Sequence, residues 1–251
     1  MRAPSALRAA AAAVAFLTRI PVGRLVACGP EDVARGAALF PVVGAGIGAL
    51  VGVVAARADG RLTALLAAAL AVALEALLTG AIHLDGLADT ADSLGAATRK
   101  RALAIMREPT IGTFGAAAVA VDLLVKTAAL AALQDGERPI LAVVAAFALG
   151  RAAPLALAGA LPYARQNGGT GVALADGTRA SWLALGLVLG IGAAVAALGV
   201  RGLVLVAAAA AACVVVGLVS RRRLGGVTGD VLGAAVETAT TLGLVAGVAT
   251  R

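Results

Sequence analysis

The sequence predicts an all-α protein, a polytopic membrane bundle of about seven transmembrane helices. Hydrophobic residues make up 61% of the 251 residues and charged residues only 14%, whereas a soluble domain is roughly half apolar and about a quarter charged. The mean hydropathy is +0.98. Aromatic residues contribute only 2%, and close-packed membrane helices tolerate a core of such small residues. These values exclude a disordered chain and favour one transmembrane domain over residues 1–251.

The N-terminal segment, about residues 1–30, is predicted to be amphipathic. Arg2 and Arg8 are followed by the apolar stretch Ala9–Leu17, a pattern that also resembles a signal peptide, with Ala13–Ala15 as a cleavage site. The alternatives are therefore a cleaved leader and a retained entry helix.

Seven stretches are long enough to cross a bilayer, which takes about 20 apolar residues in a helix. None carries more than two charged residues. In chain order, the predicted spans are Gly36–Ala56, Leu62–Leu84, Pro109–Gln134, Ile140–Leu161, Ala180–Val200, Gly202–Ser220 and Val231–Thr250. The third span contains Asp122 and Lys126, whose i,i+4 spacing lets them neutralise each other on one helix face.

The distribution of basic residues predicts the topology. The net charge is +7, and 14 of the 21 Lys and Arg residues fall on the side of the N-terminal segment if all seven spans are real. The positive-inside rule then assigns that side to the cytoplasm. Because the charges lie between apolar runs with no aromatic surface for base stacking, we expect the lipid bilayer as partner and no nucleic acid.

Three carboxylates follow the second predicted span at regular spacing. On a helix, Asp85, Asp89 and Asp92 fall within about 60° of one another. Like charges at i,i+3 and i,i+4 repel and destabilise a helix unless a cation is present. The alternative interpretation is a solvated polar loop.

A second acidic pair precedes and enters the last predicted span. Asp230 and Glu237 are seven residues apart and therefore share a helix face. Both acidic groups open on the predicted cytoplasmic side. Five convergent carboxylates suit hard divalent cations, above all Mg²⁺, and bound Mg²⁺ can neutralise a pyrophosphate during phosphoryl transfer. Glu237 alone is also compatible with a protonated, hydrogen-bonded side chain in the membrane.

Basic and glycine-rich segments surround the acidic pattern. Arginine and lysine side chains that suit phosphate binding are Arg19, Arg107, Arg151 and Arg165, together with the Arg99–Arg101 run. Arg151 lies inside an apolar stretch and must pair with another group. The segment Gln166–Gly171 can present backbone N–H groups to phosphate. His83, the only histidine, suits a proton acceptor or a ligand, and equally a structural role.

Taken together, these motifs resemble the cobalamin synthase family, the adenosylcobinamide-GDP ribazoletransferases. The matching segments run nearly end to end. They are Phe16–Val22, Phe40–Gly44, Thr79–Asp92, Ile105–Arg107, Ile111–Gly115, Lys126, Gly150–Arg151, Tyr163–Arg165 and Gly225–Glu237. The segment His83–Asp92 and the segment Thr228–Glu237, in this order and at this spacing, are the most specific of them. The match also argues for a retained N-terminus.

The resemblance implies a transferase with Mg²⁺ as cofactor in a bacterial inner membrane, its active site facing the cytoplasm. In the implied reaction, a ribose hydroxyl of α-ribazole or its 5′-phosphate displaces GMP from adenosylcobinamide-GDP. On this basis we expect metal ligands at Asp85, Asp89, Asp92, Asp230 and Glu237. Asp92 and His83 are the candidate catalytic groups, and Arg19, Arg107, Lys126, Arg151 and Arg165 the candidate substrate and phosphate contacts. The sequence leaves an oligomer open.

Two departures from the family pattern concern substrate contacts. Glu108-Pro109-Thr110 stands where the family usually has Asp-Ser-Arg or Asp-Pro-Arg, so the carboxylate is kept and the arginine is lost. A lysine often present in the fourth loop has no clear counterpart near Ala175-Asp176-Gly177.

Other classes explain the residues less completely. A CDP-alcohol phosphotransferase would show Asp-x-x-Asp-Gly-x-x-Ala-Arg, and Asp85-Gly86 is not followed by Ala-Arg. A membrane prenyltransferase would show a second aspartate-rich motif with more carboxylates than Asp230 and Glu237. A transporter would explain the charges inside the spans as an ion path, but transporters place their sites at the midplane between repeats.

Overall fold

The computed structural model describes residues 4–57, 62–165, 171–175 and 177–251. Within these ranges, the chain is helical and contains no β-strand, which confirms the predicted fold class. The helices are α1 Ser5–Leu17, α2 Pro30–Gly36, α3 Phe40–Ala55, α4 Ala64–Thr79, α5 Ile82–Ser93, α6 Arg99–Ile105, α7 Thr113–Leu133, α8 Pro139–Ala160, α9 Val172–Ala175, α10 Ala180–Leu198, α11 Val200–Leu224 and α12 Gly229–Ala249. Arg2, Asp176 and most of the predicted phosphate loop, residues 166–170, lie outside the described residues.

Six helical segments are long and apolar enough to cross a membrane, and a bent pair brings the number to seven. The first segment is Pro30–Ala55, in which α2 and α3 are joined by a short 3₁₀ turn. The other five are α7, α8, α10, α11 and α12. The predicted spans three to seven agree with these helices to within a few residues at either end.

The second predicted span is the exception, because it breaks before its predicted end at Leu84. Helix α4 ends at Thr79, and Gly80 and Ala81 follow with φ angles of 64° and 56°. This left-handed backbone ends the helix, and α5 continues at 91° to α4. Three aspartates in the twelve residues of α5 are too polar for hydrocarbon. We therefore assign α4 to the membrane and α5 to its surface.

Helices α8 and α12 form the centre of the bundle. In both helices, more than 70% of the most apolar 18-residue stretch is buried inside the protein, compared with 28% in α7, α10 and α11. Helix α8 packs against α3, α10, α11 and α12. Small residues make these contacts close: a Cβ added at Gly48 of α3 would lie 2.8 Å from Cβ of Phe147 on α8. The centre is thus packed by small residues, as the low aromatic content predicts.

Helix α1 packs along the first membrane segment. Ala9, Ala11, Ala12, Ala13 and Leu17 are buried, and the helix contacts α2 and α3, while Leu7 and Ala15 are exposed. Arg8 on α1 pairs with Asp32 on α2 at 3.3 Å. Helix α1 is thus held to the first membrane segment by apolar packing and by one ion pair.

Candidate functional site

The acidic helix α5 crosses the start of α12 at two glycines. A Cβ added at Gly86 would lie 2.7 Å from the carbonyl oxygen of Asp230 and 3.2 Å from Cα of Gly233. Only glycine at position 86 allows this approach of the two backbones. The crossing brings Asp85 and Asp89 of α5 towards Asp230 in the first turn of α12, and we call these three carboxylates the acidic face.

The electrostatics of Asp89 show that the acidic face carries excess negative charge. Partial burial, followed by the neighbouring carboxylates of Asp230 and Asp85, raises the pKa of Asp89 to about 7. Arg165 opposes this effect only in part. Since close carboxylates favour protonation or a bound cation, the acidic face suits a positively charged ligand.

Arg165 is held next to Asp230 by the loop that follows α8. Its Nη2 donates to Oδ2 of Asp230 at 2.6 Å and to the carbonyl oxygen of Met106 at 3.4 Å. An isolated parallel bridge between Tyr163 and Val227 pins this loop to the connection between α11 and α12. Gly226, before Asp230, allows the two segments to approach each other, because a Cβ at this position would collide with the carbonyl of Pro162.

A basic groove lies beside Arg165 on the surface formed by α6. Its volume is about 730 Å³. The lining residues are Arg99, Lys100, Leu103, Ala104, Arg107, Ala164 and Arg165. Four of these side chains are cationic and none is acidic, so the groove suits a phosphorylated ligand. Of the side chains that the sequence predicts to suit phosphate, Arg99, Lys100, Arg107 and Arg165 lie here.

Arg19 lies elsewhere, at the junction of α4 and α5. Its backbone N–H donates to the carbonyl oxygen of Leu78 at 2.7 Å. Its side chain crosses Gly80 so closely that a Cβ there would collide with the guanidinium. Arg19 therefore packs on the bend that directs α5 towards α12.

Asp92 is engaged by α7 rather than by the acidic face. Its Oδ2 accepts from the N–H of Gly112 at 2.6 Å, and its Oδ1 accepts from the N–H of Gly115 at 2.7 Å. Helix α7 begins after Gly112, which has no side chain to cap it, so Asp92 supplies the capping carboxylate from another helix. A Cβ at either glycine would collide with this carboxylate, which explains the two glycines of the motif Ile111–Gly115.

Glu237, Lys126 and Arg151 form part of a separate ion cluster inside the bundle. Lys126 Nζ lies 3.2 Å from Oε2 of Glu75 and 3.4 Å from Oδ2 of Asp122, and it also contacts Glu237. The predicted i,i+4 pairing of Asp122 and Lys126 is thus confirmed. All of these side chains are at least 94% buried within the protein.

Arg151 completes the ion cluster. As expected for a charged residue in an apolar stretch, it is paired, and its partner is Glu75. Its Nη2 donates to Oε1 of Glu75 at 3.3 Å, and its Nη1 donates to Thr240 at 3.3 Å. The guanidinium also stacks 4.8 Å above the ring of Phe147. The structure therefore does not bring Glu237, Lys126 or Arg151 together with the acidic face; they balance charge between α4, α7, α8 and α12.

His83 lies between the ion cluster and the acidic face. It is 6% exposed, and its Nδ1 has no hydrogen-bond partner among the described residues. Burial, and then the positive charges of Arg151 and Lys126, lower its pKa. An unpartnered buried nitrogen is costly, and it marks His83 as a candidate ligand contact.

The acidic face fits Mg²⁺ by its donor chemistry, since hard carboxylate oxygens are the ligands this ion prefers. Among the described residues, no three His, Cys, Asp or Glu side chains converge closely enough to enclose a metal ion. An ion at the acidic face would therefore take at most two of these carboxylates and would draw its other ligands from substrate or water oxygens.

Sequence reasoning missed one pair of residues near this site. Phe16 of α1 and Phe40 of α3 stack with ring centroids 5.4 Å apart and planes 15° apart. The signal was available, because they are two of only four phenylalanines in the chain and both lie in motifs of the family resemblance.

Comparisons with known proteins identify the family. Residues 9–248 match the sequence profile of the cobalamin-5-phosphate synthase family. A relative from Leptothrix cholodnii named adenosylcobinamide-GDP ribazoletransferase is 39% identical, over 94% of each chain. Relatives of the same name from Citrobacter koseri and Shigella flexneri are 38% and 39% identical, over 90% of this chain and 93% of theirs. No solved structure gives a significant match. The chain belongs to the cobalamin-5-phosphate synthase family.

Proposed function

We propose that this protein is an adenosylcobinamide-GDP ribazoletransferase, a Mg²⁺-dependent enzyme with its site at the cytoplasmic surface of a bacterial inner membrane. In this reaction a ribose hydroxyl of α-ribazole, or of its 5′-phosphate, attacks the phosphorus linked to cobinamide. A new P–O bond forms, the phosphoanhydride bond to GMP breaks, and the hydroxyl loses its proton. The products are GMP and adenosylcobalamin or its phosphate.

One observation carries the proposal: the Arg165–Asp230 contact at 2.6 Å joins the basic groove to the acidic face. A displacement on a pyrophosphate needs cations for the phosphate charge and an environment that assists the attacking hydroxyl. The basic groove supplies the first through Arg99, Lys100, Arg107 and Arg165. The acidic face lies directly beside it, where a hydroxyl can approach the phosphorus.

The acidic face would hold Mg²⁺ through one or two of its three carboxylates, those of Asp85, Asp89 and Asp230, together with phosphate oxygens of the substrate. When bound, the ion neutralises charge on the phosphate oxygens and on the leaving group. Arg165 is at once a phosphate contact and the residue that orients Asp230 through its charge-assisted hydrogen bond. His83, whose Nδ1 has no hydrogen-bond partner in the part of the chain that the structure describes, is the group we assign to the attacking hydroxyl, because both oxygens of Asp92 are engaged by α7.

The charges at the two ends of the helices support a cytoplasmic orientation of the site. The site uses the ends of α4, α8 and α11 and the start of α12, which all lie at one end of the bundle. Arg99, Lys100, Arg101 and Arg107 lie at this end, as do Arg221, Arg222 and Arg223 at the end of α11. The other end has Arg57, which follows α3, and Arg138, Arg201 and Arg251. The larger number of cations supports a cytoplasmic site.

A direct experiment measures GMP release by the full-length protein purified in detergent. The protein is incubated with adenosylcobinamide-GDP, α-ribazole and Mg²⁺, and GMP and the cobalamin product are quantified by chromatography. We expect equal amounts of both products and none of either when α-ribazole is omitted or Mg²⁺ is chelated. Absence of GMP with all components present contradicts the proposal. Turnover in detergent, where no gradient exists, excludes transport as the primary role.

A further inference from the structure

A second cavity borders the acidic face and shares no lining residue with the basic groove. Its volume is about 430 Å³, within the range of about 300–1,000 Å³ that is typical of small-molecule sites. Its walls come from α1, α3, α5, α8, α9 and α12, and they are mainly apolar, with Phe16, Phe40, Leu174, Leu232 and Val236 among the lining residues. We call this space the apolar cavity.

The stacked phenylalanines give the apolar cavity a flat aromatic wall. Phe40 is fully buried behind Phe16, which is only partly buried. The rings are nearly parallel, 15° apart, so Phe40 fixes the orientation of Phe16. A planar ligand ring can therefore stack on a preorganised surface at a low cost in side-chain entropy.

Polar groups meet at one end of the apolar cavity. Asp85 and Asp230 of the acidic face line it, and so does His83, whose buried Nδ1 has no partner among the described residues. A site that is apolar along its walls and polar at one end suits a ligand with an apolar ring and a hydroxyl-bearing end. A lipid acyl chain would leave the His83 nitrogen unpaired, so it explains the polar end less well.

We propose that the apolar cavity binds the nucleoside substrate, with its planar apolar base against Phe16 and its ribose towards His83, Asp85 and Asp230. This inference rests on the proposed function. It gives the two substrates separate entrances: the phosphates of the activated corrinoid occupy the basic groove, and the nucleoside occupies the apolar cavity. Asp230 lines the apolar cavity and contacts Arg165 of the basic groove, so the two ligands meet at the acidic face.

Two variants test the inference from opposite directions. Phe16→Ala removes the stacking surface. Ala15→Phe fills the cavity from an exposed position on α1, where a larger side chain does not disturb the core. Phe114→Ala, which removes a 62% exposed ring that does not line the cavity, is the matched control. Phe16→Leu keeps apolar volume without an aromatic face and separates stacking from simple packing.

The KM for α-ribazole and the KM for adenosylcobinamide-GDP are measured for each protein, the other substrate being saturating. Because stacking on one aromatic side chain contributes roughly a factor of ten or more to binding, we expect Phe16→Ala to raise the KM for α-ribazole about tenfold. Ala15→Phe should raise it at least as much, and Phe16→Leu by less than Phe16→Ala. The KM for adenosylcobinamide-GDP and both constants of Phe114→Ala should stay within about twofold of the parent.

The outcomes separate this inference from the proposed function. If the parent protein turns over and both Phe16→Ala and Ala15→Phe keep the parental KM for α-ribazole, the subsite assignment is overturned while the function stands; a cavity occupied by lipid gives this result. An equal rise of both KM values also overturns it. If the parent protein releases no GMP, equilibrium dialysis with radiolabelled α-ribazole decides: binding lost in Phe16→Ala supports the subsite, and no binding to the parent protein refutes it.

Discussion

Arg165 donates to Asp230 at 2.6 Å, across the boundary between a groove lined by cations and a face lined by carboxylates. The two residues come from segments 65 positions apart and are joined because the loop after α8 is bridged to the turn before α12. Arg165 is 11% exposed and Asp230 19% exposed, so the pair is partly shielded from solvent. A partly shielded pair is stronger and more directional than a surface salt bridge.

Replacement of Arg165 by lysine tests the geometry of this pair. Arg165→Lys keeps the charge but loses the planar fork that can bind Asp230 and a phosphate together. We expect kcat/KM for adenosylcobinamide-GDP to fall by about 10- to 100-fold, since a well-placed charged contact contributes roughly 1.5–3 kcal/mol. The control is Arg101→Lys on α6, whose guanidinium pairs with Glu108 at 2.7 Å and does not line the groove. Equal losses in both variants contradict the assignment.

The crossing of α5 and α12 predicts a specific requirement for glycine. Gly86→Ala places a Cβ 2.7 Å from the carbonyl oxygen of Asp230, so the two helices must separate. We expect activity to fall by about tenfold or more, because a displacement of about 1 Å in a catalytic group is costly. Gly46→Ala on α3 is the matched control, since an added Cβ there meets no atom within 4 Å. Initial rates of GMP release are measured in detergent for both variants. Parental activity in Gly86→Ala would show that the close crossing of the two helices is not required.

Asp92 is expected to matter for stability more than for chemistry. Asp92→Ala removes the acceptor of both the Gly112 and Gly115 N–H groups, and loss of a helix cap costs about 0.5–2 kcal/mol. The thermal midpoint should therefore fall by a few degrees, while the folded fraction keeps a kcat within about tenfold of the parent. If Asp92→Ala abolishes turnover but keeps the parental thermal midpoint, the prediction is wrong and Asp92 takes part in the reaction.

The ion cluster predicts a large effect of Lys126 on folding. Lys126→Met leaves Glu75, Asp122 and Glu237 buried with Arg151 as the remaining cation, and breaking a buried pair costs roughly 3–5 kcal/mol. We expect a strongly lowered thermal midpoint, partly restored when Glu237→Gln is added. Lys100→Met, at an exposed position of α6, should leave the midpoint unchanged. A double variant no more stable than Lys126→Met contradicts direct pairing of Lys126 with Glu237.

The raised pKa of Asp89 makes Mg²⁺ binding dependent on pH. Without metal, a carboxyl with a pKa of about 7 is protonated in the folded protein at pH 6 and ionised at pH 8. The ordinary pKa of an aspartate is about 3.9, so between about pH 4 and pH 7 the folded protein binds a proton here that the unfolded chain does not. This proton stabilises the folded state, and the stabilisation is lost as the pH rises from about 4 to 7. Mg²⁺ competes with that proton.

Thermal unfolding with and without Mg²⁺ at pH 6 and pH 8 measures this competition. We expect Mg²⁺ to raise the midpoint more at pH 8 than at pH 6, and we expect this difference to disappear in Asp89→Asn. The same Mg²⁺ effect at both pH values, or a larger one at pH 6, is inconsistent with metal binding at the acidic face.

The sequence was a good guide to the helices, because hydrophobic length is a strong signal. It was a poorer guide at the end of the second span, where Gly80 and Ala81 break the helix within an apolar stretch. Hydropathy averaged over a window does not register such a break. Two left-handed residues determine whether Asp85 and Asp89 continue into the membrane or turn across its surface.

The same limit applies to Glu237. A seven-residue spacing correctly placed it on the face of α12 that carries Asp230, but two helical turns correspond to about 10 Å of depth. At that depth Glu237 meets Lys126 on α7, a contact that depends on how α7 packs and not on spacing within α12. Asp92 likewise shares the helical face of Asp89, and only the approach of α7 shows that its oxygens are engaged.

The central claim is that the acidic face is where the transfer occurs, and Asp89→Asn tests it most directly. The substitution keeps size and removes the carboxylate whose pKa reports the crowded negative charge. GMP release from adenosylcobinamide-GDP and α-ribazole is measured at saturating Mg²⁺ for the variant and for the parent protein. The thermal midpoints of both proteins are measured as well, to show that the variant is folded. If the transfer occurs at the acidic face, we expect kcat to fall by about 100-fold or more. Turnover at the parental rate in Asp89→Asn would contradict it.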